Sequence, residues 1–290
     1  MKVAGFTIIK NAIKFDFPVL EAITSILPIC DEFVVAVGDS EDETLALIES
    51  INSPKIKIIQ TVWNVKPDSK DGLVIAEETN KAMAAISKDV DWCFYIQSDE
   101  IVHEKYLPTI KNAMQNFLQD EKTDGLLLNY KHFFGSYDFI GASYRWYRRE
   151  IRIVRNRANI YSYKDAQSFR KDDDKKLNVR LLDAEMFHYG YVREPERFTE
   201  KLNFQDKVHH GDQVKQRQES YDFSKEADAL YPFEGTHPAV MQARIERKNW
   251  HFDFDPIRQN RFKLKDRFKM FIEKWTGYRV GEFKNYVIVK

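Results

Sequence analysis

The stretch Trp92–Ile96 reads as a buried strand, and the chain passes from it directly to Gln97, Ser98, Asp99 and Glu100. Adjacent carboxylates at the end of an apolar strand repel one another and lose hydration where they are partly buried. Each must therefore meet a cation, a hydrogen-bond donor or a ligand. Hard divalent ions such as Mg²⁺ take oxygen ligands and commonly bind one or two carboxylates together with substrate phosphates. Such an ion would also neutralise the charge developing on a departing diphosphate. The same two acids would serve equally as favourable charges at the start of a nearby helix, and position alone leaves both roles open.

Similar groups follow the other strand-like runs. Lys10 and Asn11 follow the first, Gly38, Asp39, Ser40 and Asp42 the second, and Thr61, Trp63 and Asn64 the third. In an open α/β sheet, ligands bind beyond the carboxyl ends of the parallel strands, so these groups are expected to converge on one edge. The later cluster Arg145, Arg148, Arg149, Arg152 and Arg155 offers guanidinium groups suited to bidentate phosphate contacts. A charged strand face accounts for most of them, which leaves Arg149 and Arg152 as candidates. Trp63, Trp146 and Tyr147 have faces on which a sugar could stack, although packing is the plainer account of each.

The elements that would position these residues alternate. Strand patterns at Val3–Ile9, Phe33–Val37, Ile56–Ile59, Trp92–Ile96 and Gly125–Tyr130 are separated by helical patterns around Val19–Leu27, Thr44–Ile51, Ala76–Ile86 and Leu107–Leu118. That alternation implies βαβ units and a mainly parallel sheet. Beyond residue 131 the chain becomes aromatic and basic. Arg149–Val154 alternates like a half-exposed strand, SYKDAQSFRKDDDKK contains a polar loop, and EMFHYGYV reads as another strand. The expectation is an α/β domain over residues 1–195 and a helical, aromatic and basic C-terminal appendage over 196–290.

Composition narrows the class. The chain has 290 residues, 43% hydrophobic and 31% charged, as an ordinary globular protein does. Lys+Arg and Asp+Glu balance at 45 each, so no global field selects nucleic acid. Cys30 and Cys93 sit in apolar contexts with no C-x-x-C pair, as buried reduced thiols of a cytosolic protein would. The opening segment is interrupted by Lys10, Lys14 and Asp16, unlike a signal peptide. There is no uncharged apolar run of the ~18 residues that would span a bilayer. A cytoplasmic location is expected.

Together the segments FTIIKNA, LEAITSILPICDEFVVAVGDSEDET, GLVIAEETNKAMAAI and DWCFYIQSDE resemble the family 2 glycosyltransferases with a GT-A fold, over roughly residues 1–195. The D-E ending of the last motif and the later His188-Tyr189 pair are most similar to the lipopolysaccharide-core-like branch. The resemblance implies a GT-A-type, Rossmann-like domain that binds a nucleotide-diphosphate-sugar and transfers the sugar, with inversion, to a glycan, polysaccharide or lipid-linked acceptor. It implies donor contacts from Asn11, Gly38, Asp39, Ser40, Trp63, Gln97 and Ser98, with Arg149 and Arg152 beside them. It also implies a divalent cofactor, Mn²⁺ or Mg²⁺, on Asp99, with His188 completing the shell as imidazole suits Mn²⁺. His188 is open to a second account as a core histidine between Phe187 and Tyr189.

Two positions depart from the family pattern. Val37 and Gly38 stand where two aspartates usually precede Gly-Ser, which leaves the base of the nucleotide undetermined. Gln97 replaces the first Asp of the D-x-D motif; its amide can still hydrogen-bond a ribose hydroxyl. An inverting transfer needs a group to take the acceptor's proton. Asp165 is the first candidate and Glu150 the second, while Asp138 and Glu100 stay open.

In the appendage, Phe268, Phe271, Ile272 and Trp275 recur at helical spacing between basic residues. Such a helix could rest on a membrane surface, on its own domain or on a second subunit. Two other functions remain in view: a nucleotidyltransferase, disfavoured because FTIIKNAIKFDF offers no glycine-rich phosphate loop, and a non-catalytic nucleotide- or glycan-binding module.

Overall fold

The computed structural model describes residues 1–66, 72–211 and 214–289. Strands β1 (Val3–Ile9), β2 (Glu32–Gly38), β3 (Ile56–Thr61) and β4 (Trp92–Tyr95) alternate with helices α1 (Val19–Ile26), α2 (Thr44–Glu49) and α3 (Leu73–Ala84). Then come β5 (Glu100–Val102), helix α4 (Leu107–Asn116), β6 (Gly125–Phe134), β7 (Phe139–Gly141), β8 (Arg149–Arg155), β9 (Ile160–Tyr163), β10 (Ser168–Lys171) and β11 (Lys175–Tyr191). The remainder holds α5 (Pro195–His210), α6 (Phe223–Glu226), β12 (Leu230–Pro232), α7 (Gln242–Glu246), α8 (Pro256–Gln259), α9 (Leu264–Thr276) and β13 (Tyr286–Ile288).

The sheet order is β3-β2-β1-β4-β8-β6-β11-β10-β9. Neighbours from β3 to β4 are parallel, as are β6 and β11, while β8 lies antiparallel to both β4 and β6. From β3 to β11 every strand except β8 therefore points the same way. This is the expected α/β class with a mainly parallel central sheet flanked by helices.

Both faces of the sheet are covered, as parallel strands require. On β2, Phe33, Val35 and Val37 join one core while Val34 and Ala36 join the other; on β4, Trp92 and Phe94 face opposite to Cys93 and Tyr95. The first core takes Val19, Ala22, Ile23 and Ile26 from α1, a helical spacing that presents one stripe to the sheet. The second takes Ala82 and Met83 from α3.

Three parts of the chain differ from the sequence expectation. The segment read as a polar loop carries the β9–β10 hairpin and opens β11; Lys164, Ala166, Asp172 and Asp174 make its turns with positive φ. Its buried positions include Ser162, Ser168 and Arg170, so no apolar alternation marks them. β11 is 17 residues long rather than one short strand. Past residue 195 the chain stays tied to the sheet: β13 pairs with β11, and Phe198, Phe223, Phe252 and Phe254 pack on Phe134 and Trp146.

One buried ion pair holds the centre of the sheet together. Glu100 opens β5 and Arg152 lies on β8, and the two are 0% and 1% exposed. The guanidinium grips the carboxylate through Nε and Nη2, each 2.8 Å from an oxygen. The Tyr130 hydroxyl (2.8 Å) and the Gln97 backbone N–H (3.1 Å) donate to the same carboxylate. A buried pair satisfied in this way is costly to break from one side only. Glu100→Ala is expected to lower unfolding free energy by about 3–5 kcal/mol, measured by chemical denaturation; a loss below ~1 kcal/mol would show that the pair does not hold this region.

Candidate active site

The carboxyl ends of β1, β3 and β4 open into a cleft of about 210 Å³. Lys10, Trp63, Gln97, Ser98, Asp99 and Asp165 line it from the sheet side, and Phe204, Gln205, Val208 and His209 of α5 line it from the other.

Asp99 reaches the cleft because of a tight turn. The Glu100 N–H donates to the Gln97 carbonyl (3.1 Å), closing the chain between β4 and β5, and the Tyr189 N–H donates to the Asp99 carbonyl (2.8 Å). The two neighbouring acids then have different partners. Glu100 meets Arg152, and Asp99 meets Lys201 of α5, whose Nζ lies 3.0 Å from Oδ2. The same ammonium donates to the Gly190 carbonyl at 2.9 Å. Position 190 admits no side chain, since a Cβ there would lie 2.6 Å from the His188 ring and 3.0 Å from Asp99 Oδ2. Burial opposes ionisation of Asp99, but the charges of Lys201, His188 and Arg193, with the Lys201 hydrogen bond, outweigh it and hold the carboxyl well below its usual range.

His188 stands beside Asp99 with Nε2 3.8 Å from Oδ1. Its Nδ1 is 3.0 Å from His132 Nδ1, and His132 Nε2 donates to the Tyr147 carbonyl at 2.8 Å. Burial pushes both imidazoles below their ordinary value. His188 is thus both a buried, hydrogen-bonded histidine and a neighbour of Asp99.

The donors around Asp99 do not fit a divalent ion as they stand. Among the described residues, no group of three or more His, Cys, Asp or Glu comes together. Lys201 already occupies one oxygen of the carboxylate, and the buried Arg193 guanidinium lies close enough to act on it electrostatically. At 4 Å and an effective dielectric of 20, two unit charges interact by about 4 kcal/mol, and a doubly charged ion beside the ammonium would meet about twice that in repulsion.

The other expected contacts divide. Trp63, Gln97, Ser98, Asp99 and Asp165 line the cleft. Gly38 supports Trp63 by close approach: a Cβ there would lie 2.6 Å from the indole Nε1. Asp39 accepts from the Trp63 N–H at 3.0 Å and pairs with Lys10 at 2.6 Å. Burial resists ionisation of Asp39, and these two contacts hold its carboxyl below the ordinary value. Asn11, with φ of 55°, accepts from the Glu41 N–H, and its own N–H donates to Ser40 Oγ at 3.0 Å. Asn11 and Ser40 therefore clamp the first two loops to each other.

The arginines lie elsewhere. Arg152 is enclosed by Glu100 and has no free edge for phosphate. Arg149 donates to Asn129 Oδ1 at 3.1 Å and is not part of the cleft wall. Arg148 binds Glu273 and Glu282, while Arg145 lies 4.5 Å over Trp146 and Arg155 4.0 Å over Trp92. The cluster is a set of structural staples.

The sequence did not point to Lys201 or Arg193. A lysine inside PERFTEKLNFQDKVHH looks like a solvent-facing residue of a polar helix, and only the approach of α5 to the end of β11 buries it. Phe204 and His209 are hidden by the same circumstance.

Comparison with known proteins places the chain near glycosyltransferases. No protein-family model matches it. It is 24% identical over 259 residues to an uncharacterised glycosyltransferase of Rickettsia typhi, covering 88% of this chain and 80% of that protein. Among solved structures it overlaps residues 1–349 of S. aureus TarS, also solved with UDP-GlcNAc. For the fragment alone the identity is 18% and the TM-score 0.41, over 70% of this chain and 64% of that one. It also overlaps glucosyl-3-phosphoglycerate synthase of Mycobacterium tuberculosis, in complex with Mn²⁺, UDP-glucose and phosphoglyceric acid. There the identity is 21% and the TM-score 0.31, over 45% of this chain and 44% of that one. The chain thus spans under two thirds of either solved chain.

The two candidate bases are in unlike surroundings. Asp165 lines the cleft, and among the described residues its carboxylate has no hydrogen-bond or ion-pair partner. Glu150 is buried, with Oε2 unpartnered among the described residues. Burial pushes its carboxyl up to about 8, with Glu100 and Asp165 adding to the rise and Arg152 opposing it. Between the ordinary value of 4.5 and about 8, the folded chain keeps a proton there that the unfolded chain has lost. The stability owed to Glu150 is therefore present below that window and falls as pH rises through it. Glu150→Gln, neutral at every pH, is expected to gain at least about 1.4 kcal/mol on wild type between pH 5 and pH 9, the equivalent of one pKa unit. Denaturant titrations at both pH values check this; an equal difference at both would remove the protonated glutamate.

Proposed function

We propose that this chain is a glycosyltransferase of the family 2 type, moving a sugar from a nucleotide-diphosphate-sugar to an acceptor hydroxyl. The observation that carries this reading is the cleft, where Lys10, Trp63, Gln97, Ser98 and Asp99 from three strand ends meet Asp165, a carboxylate with no partner among the described residues. Similarity over 88% of the chain to a protein named as a glycosyltransferase supports it. In this reading residues 1–195 carry the chemistry and most of the donor site, and 196–290 complete that site through α5 and present the acceptor. Asp165 takes the proton of the acceptor hydroxyl as its oxygen attacks the sugar carbon. The bond from that carbon to the diphosphate breaks, and the nucleoside diphosphate leaves with inversion. Glu150, holding its own proton near neutral pH, is the poorer base. No step is assigned to a divalent metal, although the resemblance implies one and the Mycobacterium enzyme was solved with Mn²⁺.

The test is a screen of UDP-, GDP-, CDP- and dTDP-sugars for thermal stabilisation and slow hydrolysis, since a ligand that binds only the folded state raises its apparent stability. At least one donor is expected to do both. Asp165→Asn should keep that stabilisation and lose turnover by ~100-fold or more, the scale of general-base catalysis. If no donor stabilises the chain, or if Asp165→Asn turns over within a few-fold of wild type, this assignment fails.

The acceptor side is read as a lipid-linked glycan at an anionic membrane surface. Helix α9 is inside out relative to a helix packed on its own core: Glu273 bonds to the Tyr144 hydroxyl and Arg148, and Lys269 lies 5.2 Å over the Tyr144 ring. Leu264, Phe268, Phe271 and Trp275 face outward, between 60% and 83% exposed. Residues 256–290 carry ten Lys and Arg against three acids in a chain of zero net charge. Apolar side chains flanked by basic ones suit the headgroup boundary of anionic lipid. No described helix is long and apolar enough to cross a membrane. The protein is expected to sediment with vesicles containing anionic lipid and not with neutral ones, and Phe268→Ser/Trp275→Ser should weaken that binding at least tenfold. Dimerisation through this face without vesicle binding would instead assign it to a second copy.

A further inference from the structure

We propose that Lys201 is the resident cation of the cleft, its ammonium bridging Asp99 and the diphosphate of the donor where a divalent metal would otherwise sit. The proposal rests on the nucleotide-sugar reading above. Its geometric basis is the contact of Lys201 Nζ with Asp99 Oδ2 (3.0 Å) and the Gly190 carbonyl (2.9 Å). An ammonium has three N–H donors, and among the described residues these two oxygens are the hydrogen-bond acceptors it meets. One donor is left for a ligand oxygen.

Lys201 is buried just behind the cleft wall, in contact with Asp99, which lines it. Phe204 and Gln205, three and four residues further along α5, line the cleft, and residues at those spacings share a helix face. Phe17 also lines the cleft, with Lys201 Nζ 5.2 Å and Arg193 Cζ 4.9 Å from its ring centroid. Arg193 is wholly buried. Its Nη1 donates to the Phe15 carbonyl, while Nε and Nη2 have no partner among the described residues. Two buried cations thus stand beside Asp99, while Asp16, itself paired with Arg244, acts more weakly on Arg193. This local excess of positive charge suits an anion, and a doubly charged metal would add to it.

Lysine acts on phosphate as a compact point charge. When the sugar–phosphate bond breaks, the electron pair stays on the diphosphate oxygen, and Lys201 neutralises that charge without giving up its proton. Asp99 then serves to hold the ammonium in place, a different task from ligating a metal.

Calorimetric titration of UDP, GDP, CDP and dTDP, in EDTA and again in Mn²⁺ or Mg²⁺, tests this on the wild-type chain. At least one nucleotide is expected to bind with a Kd that changes less than threefold between the two conditions. Lys201→Met should weaken that binding at least tenfold in EDTA, with Mn²⁺ restoring part of it by entering the vacated place beside Asp99. Asp99→Asn/Lys201→Met, which removes both members of that ion pair, should weaken it without any restoration by metal. Circular dichroism and melting curves establish that each variant is folded. If wild-type binding falls tenfold or more in EDTA and returns with Mn²⁺, the nucleotide-sugar reading stands and the resident-cation proposal falls. A double variant that binds as wild type also overturns it. If no nucleotide binds under any condition, both fall.

Discussion

Two adjacent acids, each answered by its own buried cation, are the constraint on which the rest of the structure depends. The turn from Gln97 to Glu100 sends one carboxylate to Arg152 on β8 and the other to Lys201 on α5. The first pair ties β5 to the reversed strand β8 and is finished by donors from Tyr130 of β6 and the Gln97 backbone. The second fastens the first long helix after the sheet to the edge where the strand ends converge. Charges this deeply buried are tolerated only when every partner is in place, so the pairs define the local geometry as firmly as the apolar cores do.

The cleft follows from those attachments. Because α5 is held at Asp99 and Gly190, its side chains Phe204 and Gln205 face Lys10, Trp63 and Asp165 across the opening. The close approaches at Gly38 and Gly190 let Trp63 and His188 lie directly against neighbouring backbone. The histidines 132 and 188 add a hydrogen-bonded pair behind Asp99, with burial pushing both rings below their ordinary value and Asp99 opposing that shift at His188. Past this region the chain behaves differently. α9 uses its charged side to grip Tyr144 and Arg148 and turns its apolar side outward, the reverse of a helix that serves its own core.

Several of these features could be read before any fold was known. The strand and helix alternation, the placement of polar groups after strands, and the apolar stripe of α1 depend on local periodicity, and periodicity survives in the sequence. So does the need of Asp99 and Glu100 for partners, since carboxylates at the end of an apolar strand must meet something that compensates them. Less was legible where burial is polar. Ser162, Ser168 and Arg170 carry no apolar signal, and the β9–β10 hairpin therefore read as a loop. The arginines of the 145–155 segment were equally opaque, because a guanidinium bound to a buried carboxylate has the same spelling as one awaiting phosphate.

By itself, then, the sequence determined the α/β class, the mainly parallel sheet, the edge on which polar groups gather and the presence of acids without obvious partners. Only the tertiary structure decided which cation each acid meets: Glu100 takes Arg152 from 52 residues away and Asp99 takes Lys201 from 102 away. The physical reason is that periodicity is a property of neighbouring residues, whereas the state of a charged side chain depends on what removes its water. For Lys201, Arg152 and Glu150, that is done by segments distant along the chain.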